Sequence, residues 1–438
     1  MIRPAVVAMM RTSLRAAAAG LALVATAGAA QVPRGLDTFD AAWTIVRDTH
    51  FDKAMNGVDW DGVRSELRPR AARAGTSGEL RAVIREMLGR LGQSHFALVA
   101  WSADAPGARA AGNGGNPGFD VRLAGRDLLV TGVDGAGGAA AAGVRTGWRV
   151  VAIGGTSVPE LLRALPEGAD ERLLNVEAWR LAETRLRGPA GSNADVTFED
   201  GSGRLVKLAI PRRPEEGQPI TVGNLPTMHV RFESAGLKTP AGRSAGLIRF
   251  NVWMAAVDGP FQKAVDRFRG AGGIIVDLRG NPGGLAAMLM GISGHFIAER
   301  TALGVMKTRD SELRFTANPR LVNADGARVP VYAGPVAILV DAMSGSASEC
   351  FAGGMQSLGR ARVFGQVSMG QALPALFDRL PNGDVLLHAY GDFVTATGVR
   401  LEGRGVVHDE IVPLDRQALL AGRDATLEAA LAWMDSSR

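Results

Sequence analysis

Between residues 36 and 91 apolar side chains recur at helical spacing: Phe39, Trp43 and Val46, then Val63 and Leu67, then Leu80, Val83, Ile84, Met87 and Leu88. The pattern predicts a small helical domain. Its last helix opens at Thr76-Ser77-Gly78-Glu79, where Thr76 and Glu79 have capping-box spacing, and it ends at Gly92-Gln93-Ser94-His95. Beyond residue 118 the period changes. Residues 119–123 and 127–133 alternate like strands, 139–148 reads as a short helix and a turn, and 149–158 reads as a strand and hairpin. A helical insert over 160–187 and a strand pair at 194–198 and 205–210 close the unit. After Pro214 short apolar strands at 245–250, 273–278 and 336–341 alternate with helical stretches at 257–269, 285–298 and 347–358. That alternation predicts an α/β sheet with right-handed crossovers, whose sites gather where strands end and helices begin.

Composition adds boundaries. Residues 103–117 are Gly, Ala, Asn and Pro with little else, a linker composition, so we read a helical domain over 31–104, a β-rich domain over 105–214 and an α/β domain over 215–438. Residues 1–30 form a signal peptide: a positive start to Arg15, an apolar run from Ala16 to Ala27, and small residues before Gln31. That run is too short and too weakly hydrophobic for a comfortable membrane span, and no later segment reads as transmembrane. An exported protein, periplasmic or extracellular, is expected. The formal charge is +5, but Arg3, Arg11 and Arg15 lie in the leader, and without them the balance of 46 basic to 44 acidic residues is nearly even. No basic run with interleaved aromatics suggests nucleic-acid binding. The single cysteine, Cys350, excludes an intrachain disulfide and a cysteine-based zinc cluster, and it reads as a small apolar packing residue.

Two strand ends carry candidate chemistry. Asp277-Leu-Arg-Gly-Asn-Pro-Gly-Gly forces a tight turn in which Gly283 and Gly284 leave backbone N–H groups uncovered, a nest for an anion. By itself an Asn-Pro-Gly turn into a helix is the commoner use of such residues. Ser344-Gly-Ser-Ala-Ser-Glu follows the strand ending at Asp341, and a serine on a sharp strand-to-helix turn points its hydroxyl out of the sheet, beside the N–H of Ala347. On spacing alone, Ser346-Ala-Ser-Glu349 reads first as a capping box, in which Ser346 does no more than cap the helix.

Together with Gly-Arg-Ala-Arg-Val-Phe-Gly at 359–365 and Gly403-Arg-Gly-Val, these motifs resemble the tail-specific, C-terminal-processing serine peptidases, over nearly the whole chain after the leader. The resemblance implies an α/β (ClpP/crotonase-like) peptidase core with Ser346 as nucleophile and Gly283 or Gly284 with Ala347 as oxyanion donors. The middle domain, with Pro117-Gly118-Phe119 before its first strand, resembles a PDZ domain, although Trp148 stands where that family usually has Asp. Gly118 and Phe119 are then the loop that captures a peptide carboxylate.

One departure matters. Where the processing peptidases carry a lysine in Phe-Gly-Lys, this chain has Met369-Gly-Gln371, and glutamine cannot accept a proton at any useful pH. Ser94-His95 and Glu402 instead look like the Ser-His and Glu positions of the tricorn-core branch. By that likeness His95 is the base, Glu402 orients it, and Ser94 or Gln371 assists by hydrogen bonding. The other histidines, His50, His229, His295, His388 and His408, sit in no such motif and read as structural or exposed. The expected function is a secreted serine endopeptidase acting on polypeptide tails, with no metal, nucleotide or other cofactor. The rival is a non-catalytic peptide- or lipid-binding protein on the same fold.

Overall fold

The computed structural model describes residues 35–100, 114–163, 165, 170–223 and 227–437. The leader and most of the 103–117 linker lie outside them. Three helices, Gly35–Thr49, Trp60–Arg73 and Ser77–Gly89, follow the predicted spacing, and the last begins in the Thr76–Glu79 capping box. They bury Phe39, Val46, Leu67, Ile84 and Met87, and the indoles of Trp43 and Trp60 each donate to the other residue's carbonyl at 2.9 and 3.2 Å. This core is not closed by the helices alone: Leu98, Leu380 and Leu386 complete it. The strand Ala97–Val99 pairs with Val385–Ala389, which pairs in turn with Ala375–Arg379.

The middle segment is an antiparallel sheet in the order 119–124, 127–133, 149–153, 193–199, 205–211. Alternate residues face its core, with Phe119, Val121, Leu128, Val130, Val196 and Phe198 buried. The predicted helical insert is two helices, Val158–Arg163 and Glu171–Leu186, the second capped by Asp170 and packed along the edge strand 119–124. Gly114–Asn116, expected in the linker, is a short strand beside Gly188–Pro189 and Arg213–Pro214.

The C-terminal sheet runs 232–238, 244–250, 274–277, 336–340, 362–365, 410–411, with all pairs parallel except the first. Ile274–Asp277 and Val336–Val340 are buried on both faces, which explains their unbroken apolar sequence. Helices Asp258–Arg267, Met288–Ser293 and Ala347–Ser357 share the core on one face. On the other face Ile275, Ala337, Leu339 and Phe364 pack against Ala430 and Met434 of the helix Ala425–Ser436, which the strand–helix pattern did not reveal. The stretch expected as a helix over 285–298 is helical only over Met288–Ser293. It stops at Gly294, where the Asn318 carbonyl comes so near that a Cβ would lie 1.8 Å from it.

The helical segment is joined to the C-terminal part by Arg81, whose guanidinium donates twice to Asp384 at 2.8 Å, the carboxylate being 1 % exposed. Arg81→Ala removes a bidentate cation from a buried carboxylate that keeps Asn382 as a donor, and is expected to lower the unfolding free energy by roughly 3 kcal/mol in urea denaturation. A loss below about 1 kcal/mol would show that the pair does not hold the segments together.

Candidate active site

The strands 274–277 and 336–340 end side by side, and their loops are stitched to each other. Asn281 donates through Nδ2 to the Phe250 carbonyl, while its own carbonyl accepts from Gly345 N–H and Ser348 Oγ, each at 3.0 Å. Asp341 accepts from the Gly280 and Met343 amides and pairs with Arg122 of the middle sheet at 2.7 Å. Burial raises the Asp341 pKa, but Arg122 and the two amides more than offset this, so it stays below the ordinary carboxylate range.

Ser346 stands at the start of the helix Ala347–Ser357 with φ 52° and ψ −116°. Among the described residues only Met55, Asn56, His95 and Ser346 combine positive φ with a side chain. Two of the four are therefore residues singled out by motif, and strain of this kind gathers where surrounding contacts over-determine the backbone. In the run 341–350 Ser346 is the one residue that is not buried. Its N–H donates to the Gln371 carbonyl at 2.9 Å and to Glu349 at 3.0 Å.

Glu349 is fully buried. Its two oxygens accept from the Ser346, Gly370 and Gln371 amides and from the Ser368 hydroxyl, at 2.6–3.0 Å. Burial pushes its pKa up to about 7, against the pull of these four donors. Sequence spacing revealed Glu349 only as a cap. The structure makes it the clamp that seats the 368–371 loop against Ser346.

The glycine loop resolves by hydrogen bonding. Gly283 N–H already donates to Asn281 Oδ1 at 3.0 Å, and a Cβ there would lie 2.6 Å from the Ser346 Cβ. Gly284 is exposed. It faces Trp253, which uses the Gly283 carbonyl and the Leu285 N–H, so among the described residues the Gly284 N–H has no partner. Nor does the Ala347 N–H, in the first turn of its helix.

His95 follows the three-helix segment at φ 60°. The likeness implies that Glu402 contacts the ring, but no hydrogen bond joins the two. The carboxylate accepts from Ser94 N–H and Ser94 Oγ, each at 2.8 Å, and Ser94 Oγ lies 2.8 Å from His95 Nδ1. The contact is indirect because Ser94 fills the space between the two. The hydroxyl has one proton and gives it to Glu402, so it must accept from Nδ1–H, which leaves Nε2 as the ring's free base. Glu402 also accepts from Ala372 N–H at 2.9 Å, next to the residue whose carbonyl holds Ser346. Hydrogen bonds and the Gln371–Ala372 peptide thus link Ser346 without a break to Glu402, Ser94 and His95. Desolvation, aided by the charge of Arg180, lowers the His95 pKa to about 4.

The residues expected to bind a carboxylate are placed differently. Gly118 N–H is taken by Asn116 Oδ1 at 2.9 Å, and Phe119 is a core residue packed edge-on against Phe198. Gln371 presents its Oε1 to Arg180 at 3.2 Å. Sequence reading did not find Arg180, Arg172, Arg122 or Asp341, because nothing local marks them. Among the described residues no group of three or more His, Cys, Asp or Glu side chains is arranged to hold a metal ion.

Residues 244–412 match the model described as peptidase family S41, and residues 37–89 match the tricorn protease C1 domain. The chain carries a serine-type peptidase domain of family S41. This S41 peptidase is 24% identical over 425 residues to a carboxyl-terminal-processing protease of Picosynechococcus, covering 92% of this chain and 91% of the relative. It is 27% identical over 211 residues to a probable CtpA-like serine protease of Staphylococcus epidermidis, covering 47% of this chain and 40% of that one. Its fold is similar to that of the photosystem II D1 C-terminal processing protease, with TM-score 0.57 and 22% identity over 91% of this chain and 96% of the other. Mature CPAF is similar at TM-score 0.58 and 11% identity, covering 91% and 95%.

Glu349→Ala leaves the Gly370 and Gln371 amides and the Ser368 hydroxyl without their acceptor, and the Ser346 amide with only the Gln371 carbonyl, so it is expected to lower stability by about 3 kcal/mol, and Glu349→Gln by less. Urea unfolding at pH 8 measures both. Equal stability of wild type and Glu349→Ala would show that the clamp carries no load.

Proposed function

We propose that the S41 peptidase hydrolyses peptide bonds with Ser346 as nucleophile, His95 as general base and then acid, and Glu402 acting on His95 through Ser94. The observation that carries this reading is the Ser94 hydroxyl, donating to Glu402 and accepting from His95 Nδ1, so that the free lone pair lies on Nε2. Ser346 Oγ attacks the scissile carbonyl carbon as its proton passes to His95. The Gly284 and Ala347 amides receive the oxyanion, a role for which Gly283 is unsuited because its N–H is committed. His95 then gives the proton to the leaving amine, and a water deprotonated by His95 cleaves the acyl-enzyme. Gln371 supports Ser346 through its backbone, and no lysine is required at that position.

The substrates we infer are polypeptide tails, in line with the relative named for carboxyl-terminal processing. A tail has an edge to join: among the described residues no strand pairs with the outer side of Phe119–Ala124, which borders the helix Glu171–Leu186. This supports a PDZ-like role for the insert, with the Gly118 amide already used by Asn116. Export is inferred from the first thirty residues. Among the described residues no helix is long and apolar enough to cross a membrane.

A fluorophosphonate probe is expected to label wild type on Ser346 and not Ser346→Ala, which should lose hydrolysis while remaining folded. Labelling elsewhere, or hydrolysis that survives in Ser346→Ala, removes the assignment, and an unlabelled wild type would favour the non-catalytic reading. His95→Ala is expected to lose roughly 10⁴-fold or more in rate, with smaller losses for Ser94→Ala and Glu402→Gln.

The pH profile carries a sign. An imidazole whose pKa falls from 6.5 to about 4 in the fold stays a free base down to about pH 4, so the acid limb of kcat/KM should lie there. The same shift means that stability from the neutral imidazole is lost as pH falls from 6.5 towards 4. A limb near 7 that Glu349→Gln abolishes would instead give control to Glu349.

A further inference from the structure

The turn that carries His95 is held at more than one point. Glu402 takes the amide and the hydroxyl of Ser94, the residue before the base. The residues that flank this pair, Gln93 and Phe96, both meet a second histidine, His50, which the hydrolytic steps proposed above do not use. His50 Nε2 lies 2.9 Å from Gln93 Oε1. Its ring stacks on those of Phe51 and Phe96, with centroids 4.7 and 5.5 Å away and planes 18° and 13° from parallel.

His50 is itself fixed. It is fully buried directly after the helix Gly35–Thr49, with its N–H donating to the Val46 carbonyl at 2.9 Å. Its carbonyl accepts at 3.2 Å from Arg309, in the hairpin that joins the strands Ala302–Thr308 and Glu312–Thr316. An amide oxygen only accepts, so the Nε2 that faces Gln93 carries a proton. Nδ1 has both the N–H and the carbonyl of Asp52 within reach, at 3.1 and 2.9 Å. A neutral ring accepts there from the N–H and a protonated ring donates to the carbonyl, so the bond to Gln93 survives in either state. The hold matters because of the backbone it imposes. The chain takes φ 62° at Gly92, which glycine tolerates, and φ 60° at His95, which a histidine adopts only under constraint. Contacts at 93, 94 and 96 leave His95 no freedom to relax, and its ring stays against Ser94 Oγ.

We propose that His50 is a positioning residue for the base: through Gln93 and Phe96 it holds the 92–96 turn in the strained form that fixes the His95 ring. The proposal deepens the reading of His95 above and rests on it for the catalytic consequence. It adds a hold on the turn that is independent of Glu402 and draws its rigidity from the first helix and the Arg309 hairpin.

Two variants break the same hydrogen bond from its two ends. Gln93→Ala does so at a half-buried position with little risk to folding, and His50→Phe does so while keeping a ring to stack. Each is expected to slow the maximal rate of Ser346 labelling by a fluorophosphonate roughly 10- to 100-fold without weakening binding of the probe, and the double variant no further than the slower single one. His50→Gln, whose amide nitrogen can stand in the place of Nε2, should recover part of the rate. A merely structural residue would leave the titration of His95 where it is. Followed by NMR in the Ser346→Ala background, the His95 midpoint should rise from about 4 towards 6.5 when Gln93→Ala is added, because a loosened turn lets water reach the ring. A His95 midpoint that stays in place, or losses of labelling rate that multiply in the double variant, overturns the proposal. A midpoint that rises while labelling keeps its wild-type rate would instead refute His95 as the base and leave its hold by His50 standing.

Discussion

The carboxylate of Glu402 ties the segment leaving the N-terminal helices directly to the loop that seats Ser346. It takes both the amide and the hydroxyl of Ser94, which fixes the segment leaving the N-terminal helices, and it takes the amide of Ala372, in the loop that seats Ser346. One charged group thus sets the position of the imidazole, the direction of its Nδ1 proton and the register of the loop beside Ser346. The N-terminal helices are joined to the same part of the chain through a shared core with Leu380 and Leu386 and through Arg81 with Asp384. That rigidity keeps the 92–96 turn in place.

The second half of the site is held by a different carboxylate. Ser346 and His95 each carry a positive φ that costs on the order of 1–3 kcal/mol, and such conformations persist only where neighbours leave no alternative. For Ser346 those neighbours are Glu349, the Gln371 carbonyl and Gly283, whose missing Cβ lets the two loops touch. The amides of Gly284 and Ala347 have no partner among the described residues, which leaves them free for the oxyanion role proposed for them. The middle segment contributes from outside: Arg122 reaches Asp341, and Arg172 reaches the Met369 carbonyl, so both loops are braced by the insert.

Much of this was legible in the sequence because it is encoded locally. The parallel strands announce themselves as unbroken apolar runs, and the Thr76–Glu79 cap and the glycine and serine loops are short motifs with fixed geometry. The indirect contact of Glu402 with His95 was not legible, since whether a serine lies beside a carboxylate or between it and a ring depends on how two loops 300 residues apart fold onto each other. The choice of Gly284 over Gly283 depends on where the Asn281 side chain turns. Arg180 was invisible because an exposed arginine on a helix is ordinary until the other end of the molecule is seen beside it. The helix Ala425–Ser436 escaped because its buried face is only Ala430 and Met434, too sparse to stand out from an Ala-rich sequence.

The central claim is that Glu402 acts on His95 only by way of Ser94. A double-mutant cycle on the rate at which a fluorophosphonate labels Ser346 tests it most directly, using wild type, Ser94→Ala, Glu402→Gln and the double variant. A relay predicts that once Ser94 is gone, Glu402→Gln slows labelling no further. Independent losses that multiply in the double variant would contradict the relay and place Glu402 in direct or separate contact with the reacting groups.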